Sequence, residues 1–362
     1  MSYFSQMQTF TAVFLAALAL TVGLRLWLAQ RHIRHIARCR DQVPAEFREH
    51  IDLAAHQKAA DYSIDKTRLG MIDLGVGALF LLALTLGGAL QGLHQVWLRA
   101  FDAASYAHGM ALLVSVALIS GLVDLPLSLY RTFVIEARFG FNKMTLRLFF
   151  ADLAKQTLLG AALGLPLVLC VLWLMQRMGA QWWLYVWVTW IVFNLMVLTV
   201  YPTLIAPLFN KFTPLEDAGL KNRIEALLAK CGFRAQGLYV MDSSRRSSHG
   251  NAYFTGFGAA KRIVLFDTLI ARLAPAEIEA VLAHELGHFK HHHVWKRMAA
   301  LFGMSLVFLW LLGYAMKQDW FYAGLNVQAQ STALALLLFF LVVPVFTFLL
   351  HPLTSLYSRT HE

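Results

Sequence analysis

The sequence predicts a mainly α-helical membrane protein of seven spans, with an α+β domain inserted between the fifth and sixth. Three observations carry this. Of its 362 residues, 58% are hydrophobic and only 14% charged, about half the charged share of an ordinary soluble domain. The apolar residues gather into uninterrupted runs, each near the ~20 residues with which a helix crosses the hydrocarbon core. One long stretch, residues 205–297, holds no such run.

The runs fall at roughly Phe10–Leu28, Gly70–Leu90, Met110–Tyr130, Leu158–Met175, Trp182–Thr203, Met298–Met316 and Thr332–Leu350. They divide the chain into a membrane region over 1–204, an inserted domain over 205–297, and a closing pair of spans with a polar tail over 298–362. No positive charge precedes the first run, and Arg31, Arg34, Arg38 and Arg40 follow it. It is therefore expected to stay as an anchor rather than leave as a signal peptide.

Lys and Arg set the expected orientation. The loop after the first span carries Arg31, Arg34, Arg38, Arg40, Arg48, Lys58, Lys66 and Arg68, and the loop after the third carries Arg131, Arg138, Lys143, Arg147 and Lys155. The loops after the second, fourth and sixth spans hold only Arg99, Arg177 and Lys317. The basic loops, and the inserted domain on their side, are expected to face the cytoplasm. The net charge of +10 then reads as the basic face of a multispanning protein that attracts anionic headgroups. The lipid bilayer is an expected partner and nucleic acid is not. Cys39, Cys170 and Cys231 show no CxxC spacing, which argues against a disulfide framework.

Within the inserted domain, Pro207–Pro214 carries turn residues, and Leu215–Lys230 reads as an amphipathic helix with Leu220, Ile224, Leu227 and Leu228 on one side and Gly232 past its end. Three strands are expected at Gly237–Met241, Ala252–Phe257 and Arg262–Phe266, the last two as a hairpin around Gly258–Lys261. Asp267 is placed to cap a short helix over Thr268–Leu273. Pro275 suits the first turn of a further helix, with Glu277 and Glu279 near its positive end.

That last helix contains His284-Glu285-Leu286-Gly287-His288. Positions i and i+4 lie one turn apart on one face, so His284 and His288 can offer two imidazole nitrogens to a single zinc ion. Glu285, offset round the helix, is placed to act as a base on water instead of filling a coordination position. A catalytic zinc needs a third protein ligand. His291 shares the stripe, but a straight helix climbs about 10 Å over seven residues, too far for three side chains to converge. His291, His292 and His293 therefore read as a solvated or headgroup-level helix end, and the third ligand is expected from elsewhere.

The chain resembles the type I CAAX prenyl protease family of membrane zinc metallopeptidases along nearly its whole length. Phe133-Val134-Ile135-Glu136 with Phe139-Gly140-Phe141-Asn142-Lys143 is similar to the family's stretch after its third span. Tyr201-Pro202 with Pro207-Leu208-Phe209-Asn210 is similar to the start of its catalytic domain, and Arg246–Gly256 resembles its substrate-strand signature. The resemblance implies a ring of seven helices enclosing a chamber, with a cytoplasmic zincin-like domain and one Zn2+. It implies a third ligand in Ser358-Arg359-Thr360-His361-Glu362, namely Glu362. The family pattern runs on past that glutamate to a supporting Asp, so the chain is expected to lack its C-terminal end and to hold metal poorly there.

The implied reaction is zinc-assisted hydrolysis near the C-terminus of prenylated or other membrane-associated peptides, with Glu285 as base. Asn251, Ala252 and Tyr253 would hold the substrate backbone by strand addition, although an ordinary core strand is the competing reading of these residues. Asp124 and Asn194 are candidates to line the chamber. For Asp124 a structural role beside a helix break at Leu125-Pro126 competes. A bacterial source would place the chain in the inner membrane, a eukaryotic one in the endoplasmic reticulum. The competing functions are a heat-shock-type membrane quality-control zinc protease, which would have fewer spans, and a transporter or receptor with structural or metal-sensing histidines.

Overall fold

The computed structural model describes residues 3–233, 237–255, 261–291, 293–328 and 330–359. Its membrane region begins with α1 (Tyr3–Cys39), α2 (Leu53–Leu84), the short α3 (Ala89–Leu98), α4 (Tyr106–Tyr130), α5 (Leu146–Arg177) and α6 (Trp182–Val200). A short α7 (Ala206–Phe209) leads out of it. Among the described residues, seven helices are long and apolar enough to cross a membrane. Several helices overrun the apolar runs: α1 extends past both ends of its run, and α2 starts at Leu53 rather than Gly70, although it stops at Leu84. Asp52 explains the start: its side chain accepts the Ala55 N–H as a helix cap. Hydropathy marks only the lipid-covered part of such a helix.

Two spans end in a widened π turn, a form rare in proteins and frequent at functional sites. The first, Arg131–Glu136, continues α4, and the second, Tyr201–Ile205, continues α6. In the second, Pro202 has no N–H to give to the helix ladder, and the Ala206 N–H reaches back five residues to the Tyr201 carbonyl. Pro126 lies inside α4 without breaking it. The irregularity expected at Leu125-Pro126 comes instead at Arg131.

The inserted domain is built from β1 (Phe212–Pro214), α8 (Ala218–Lys230), β2 (Gly237–Met241), β3 (Ala252–Thr255), β4 (Arg262–Phe266), α9 (Asp267–Ile270) and α10 (Pro275–Lys290). The strands form one sheet in the order β1-β2-β4-β3. β2 and β4 are parallel, with Tyr239 opposite Val264. β3 and β4 form the expected antiparallel hairpin, with Ala252 opposite Leu265, while its turn at 256–260 lies outside the described residues. β1, where a turn was expected, pairs antiparallel with β2 at the sheet edge. An edge is where Pro214 is tolerated in a strand.

One face of the sheet, carrying Leu238, Ala252, Ile263 and Leu265, closes on Leu220, Ile224 and Leu228 of α8 and on Ile278, Leu282 and Leu286 of α10. α8 begins at Ala218 rather than at the expected Leu215 and ends, as expected, at Lys230, while Asp267 is the first residue of α9 rather than its cap. The Asp217 carboxylate accepts the Leu220 N–H at the start of α8, and Gly232, at φ 66°, turns the chain out of its end. α9 is shorter than the expected Thr268–Leu273 helix.

The chain then returns to the membrane as α11 (His293–Ala315), α12 (Asp319–Ala323), α13 (Thr332–Thr347) and α14 (His351–Arg359). α13 is the centre of the bundle, with Ala333 through Phe339, Val342 and Val345 all buried. Thr21 of α1 donates its hydroxyl to the Val345 carbonyl there, at 2.9 Å. Elsewhere large apolar side chains point outward, Leu79 70% and Leu158 71% exposed, an arrangement that lipid accommodates and water does not.

The two basic loops and the inserted domain meet at one end of this bundle. Arg40 pairs with Asp61 and Arg138 with Asp65. Tyr62 donates its hydroxyl to Glu136 at 2.6 Å, and Arg246 of the inserted domain pairs with Asp152 of α5. The cysteines Cys39, Cys170 and Cys231 are free.

Candidate metal centre and active site

α10 starts as its sequence dictates. Pro275 occupies the first turn, and the Glu277 carboxylate folds back to accept the Ala274 N–H at 2.7 Å. The apolar stripe Ile278, Leu282 and Leu286 is buried against the sheet. Ala280 and His284 are thereby turned outward, with Gly287 and His288 half-buried beside them. A Cβ added to Gly287 would meet no described atom within 4 Å.

The two motif histidines converge. His284 Nε2 and His288 Nε2 lie 3.2 Å apart, with the rings edge to face and their centroids 4.7 Å apart. Two imidazoles on one tetrahedral zinc, at bonds of about 2.0–2.1 Å, place their nitrogens about 3.3–3.4 Å apart. The observed separation is close to that spacing. Glu285, half-buried on the next position, makes no hydrogen bond to a described residue. Among the described residues no third His, Cys, Asp or Glu completes a metal group. Glu362, the expected third ligand, lies outside the described residues.

β3 stands beside this helix, its face carrying Ala252 and Phe254 packed into the core that α10 shares. Being last in the strand order, β3 keeps one edge unpaired by any described strand, as recognition of an extended peptide requires. Ala252 itself is buried, 4% exposed, and its N–H is taken by the Asn251 side-chain oxygen at 2.8 Å. Tyr253 alternates to the opposite face of the sheet, where it lines a small cavity with Pro202, Pro207 and Tyr239. Burial there pushes its phenol up to about 12, assisted by Tyr201. Any hold on substrate by these residues therefore comes through the β3 backbone and Asn251, whereas the Tyr253 ring braces the sheet against the end of α6.

The loop before β3 is anchored to the membrane helices at three points. The Arg246 guanidinium clamps Asp152 with Nε to Oδ2 at 2.8 Å and Nη2 to Oδ1 at 3.1 Å, and donates a third bond to Asn210. The Arg246 carbonyl accepts the Lys143 N–H, and the Ser248 N–H binds the Phe141 carbonyl. His249 stacks on Phe141 with centroids 4.4 Å apart, and its Nε2 lies 3.4 Å from the Glu136 carboxylate that Tyr62 also binds. Gly140, at φ 78°, permits the turn that makes this possible. The Phe141 and Asn142 N–H groups both fold back onto the Glu136 carbonyl.

Sequence reasoning singled out the 133–143 and 246–256 stretches separately and did not foresee that they pair with each other. It missed Asp152, whose only sign is a lone carboxylate in an apolar helix. Asp267 keeps the other side of the loop. Burial raises its pKa, but bonds from the Ser244 and Ser243 hydroxyls and from the Ser244 and Thr268 N–H groups outweigh that and hold it below the usual carboxylate value. Of the two candidate chamber residues, Asp124 is exposed on α4. Asn194 donates its amide to the Trp190 carbonyl of its own helix at 2.7 Å.

Comparison with known proteins agrees with this arrangement. Residues 32–211 match the N-terminal region of CAAX prenyl proteases, described as five membrane helices, and residues 214–362 match peptidase family M48. Probable CAAX prenyl protease 1 of Schizosaccharomyces pombe is 35% identical over 87% of this chain and 69% of its own length. The CAAX prenyl protease 1 homolog of Homo sapiens is 31% identical over 91% of this chain and 79% of its own length. The crystal structure of Ste24p from S. mikatae superposes with a TM-score of 0.88 at 30% identity, covering 97% of this chain and 85% of that one. With its spans and inserted sheet, these matches show that the chain is a membrane metallopeptidase, a hydrolase that belongs to the CAAX prenyl protease 1 family.

Proposed function

We propose that the protein is a zinc-dependent endopeptidase that cuts near the C-terminus of prenylated CAAX-type or other membrane-associated peptides. The observation that carries this is the convergence of His284 and His288 Nε2 at 3.2 Å, on a helix that shares a core with β3, whose outer edge is unpaired among the described strands. In this reading His284 and His288 hold the zinc, with Glu362 as third ligand in accord with the family pattern. The catalytic unit spans about 205–297, on the cytoplasmic side with the basic loops.

When bound, zinc supplies Lewis-acid polarisation of the scissile carbonyl and lowers the pKa of water. Glu285, without a hydrogen-bond partner among the described residues, takes the proton from the attacking water and passes it to the departing amine nitrogen. The substrate adds as a strand along β3, its main chain bonded to the exposed edge and to Asn251, which sets the scissile carbonyl beside α10. The membrane position favours lipid-modified peptides over soluble ones.

The test is cleavage of a quenched-fluorescence peptide, with and without an S-prenyl cysteine, by the purified full chain in detergent. Glu285→Ala is expected to lower the rate by about 10²–10⁴-fold while one zinc per protein remains. Full cleavage by that variant would overturn the assignment. Equal rates on prenylated and plain peptides would remove the prenyl preference and keep the peptidase.

A further inference from the structure

His293 is not part of a solvated end of the motif helix, and His292 lies outside the described residues. α10 stops at Lys290 and α11 begins at His293. On an unbroken helix, position 293 would stand about 140° round from 288, facing away from it. The break swings it back, so that His293 Nδ1 lies 2.9 Å from His288 Nδ1, with ring centroids 5.2 Å apart and planes at 62°. His288 Nε2 is the atom that faces His284. Both ring nitrogens of His288 are therefore committed, one toward the metal position and one toward His293.

A histidine that gives its Nε2 lone pair to a cation carries its proton on Nδ1, and the acceptor of that proton fixes the tautomer and the ring plane. Among the described residues, His293 Nδ1 is the atom within reach. We propose that His293 is a positioning residue for the metal centre: with its own proton on Nε2, it accepts the His288 Nδ1–H and so holds His288 in the tautomer that binds zinc. The proposal rests on the zinc reading above. It makes the junction of α10 and α11 part of the metal centre, and ties the orientation of a ligand to the first residue of a membrane span.

The experiment uses the full chain in detergent and measures zinc affinity by competition with a chromophoric chelator for wild type, His293→Ala, His293→Asn and His293→Gln. Asn places a carbonyl oxygen where Nδ1 stood, whereas Gln reaches to the Nε2 position. His293→Ala and His293→Gln are expected to bind zinc about 10–100-fold more weakly, and His293→Asn to recover most of the loss. The melting temperature of the metal-free protein should stay unchanged.

In the cobalt-substituted protein, His293→Asn should leave the visible absorption bands where they are, because His293 is not a ligand. Wild-type affinity in His293→Ala, or equal weakening in Asn and Gln, would overturn the proposal, and so would a shift of the cobalt bands. If the alanine variant fails to fold, the contrast between Asn and Gln decides alone. A wild-type protein that binds no zinc would instead refute the metallopeptidase reading itself.

Discussion

Arg246→Ala removes a guanidinium that is only 19% exposed from a carboxylate, Asp152, that is 7% exposed. Two charge-assisted bonds to Asp152 and one to Asn210 disappear together. Loss of one partner from a buried ion pair costs about 3–5 kcal/mol, because the other charge is left uncompensated in a poor solvent for it. The bond to Asn210 adds about 0.5–1.5 kcal/mol.

Asp152→Ala strands the guanidinium in turn, with a smaller loss because the long side chain of Arg246 can lean toward water. Removing both partners leaves neither charge stranded, so the double variant should lose less than the sum of the singles, with a coupling of at least about 2 kcal/mol. Thermal unfolding of the detergent-solubilised protein, followed by tryptophan fluorescence, measures all four corners of the cycle. Proteolytic nicking of the 243–251 loop should rise in parallel, since Arg246 is its main tether to α5. Additive losses, or an Arg246→Ala protein as stable as wild type, would refute the reasoning.

Other outcomes follow from the same geometry. His284→Ala should abolish stoichiometric zinc, read by elemental analysis, because it removes one of the two converging nitrogens. Gly140→Ala should destabilise the protein by about 1–2 kcal/mol. The cause is conformational alone: φ is 78° and a Cβ there would meet nothing closer than the Lys58 ammonium at 3.8 Å. The Asp267 carboxyl is held below its ordinary value, so its contribution is complete above the unfolded pKa of about 3.9 and is lost as pH falls through the folded one. Asp267→Asn should therefore lower stability at neutral pH and flatten its decline below about pH 4, measured by melting temperature against pH.

Much of the fold was legible because its signals are local. Seven apolar runs correspond to seven span-length helices among the described residues, since a bilayer demands a helix wherever twenty apolar residues follow one another. β2 and β4 fall on the expected residues, and Pro275 and Gly232 stand at the helix ends where they were expected. What hydropathy could not show was the helix outside the lipid, as in the first turns of α2, whose polar residues are as helical as the apolar ones. Nor could it show β1, three residues long and ending in Pro214, which is a strand only because β2 lies beside it.

The site divides in the same way. His284, Glu285 and His288 are adjacent in sequence, and the helical repeat alone brings the two imidazoles to one side. The sequence by itself therefore determined the spans and the convergence of His284 with His288, because each depends on residues within a turn or two of one another. Only the tertiary structure decided that Arg246 closes on Asp152, that the 133–143 turn pairs with the 246–251 loop, that Tyr253 faces away from the metal helix, and that a break after Lys290 returns His293 to His288. Those contacts join residues up to about a hundred positions apart or depend on how two helices meet, and no periodicity along the chain encodes which distant partner a side chain will find.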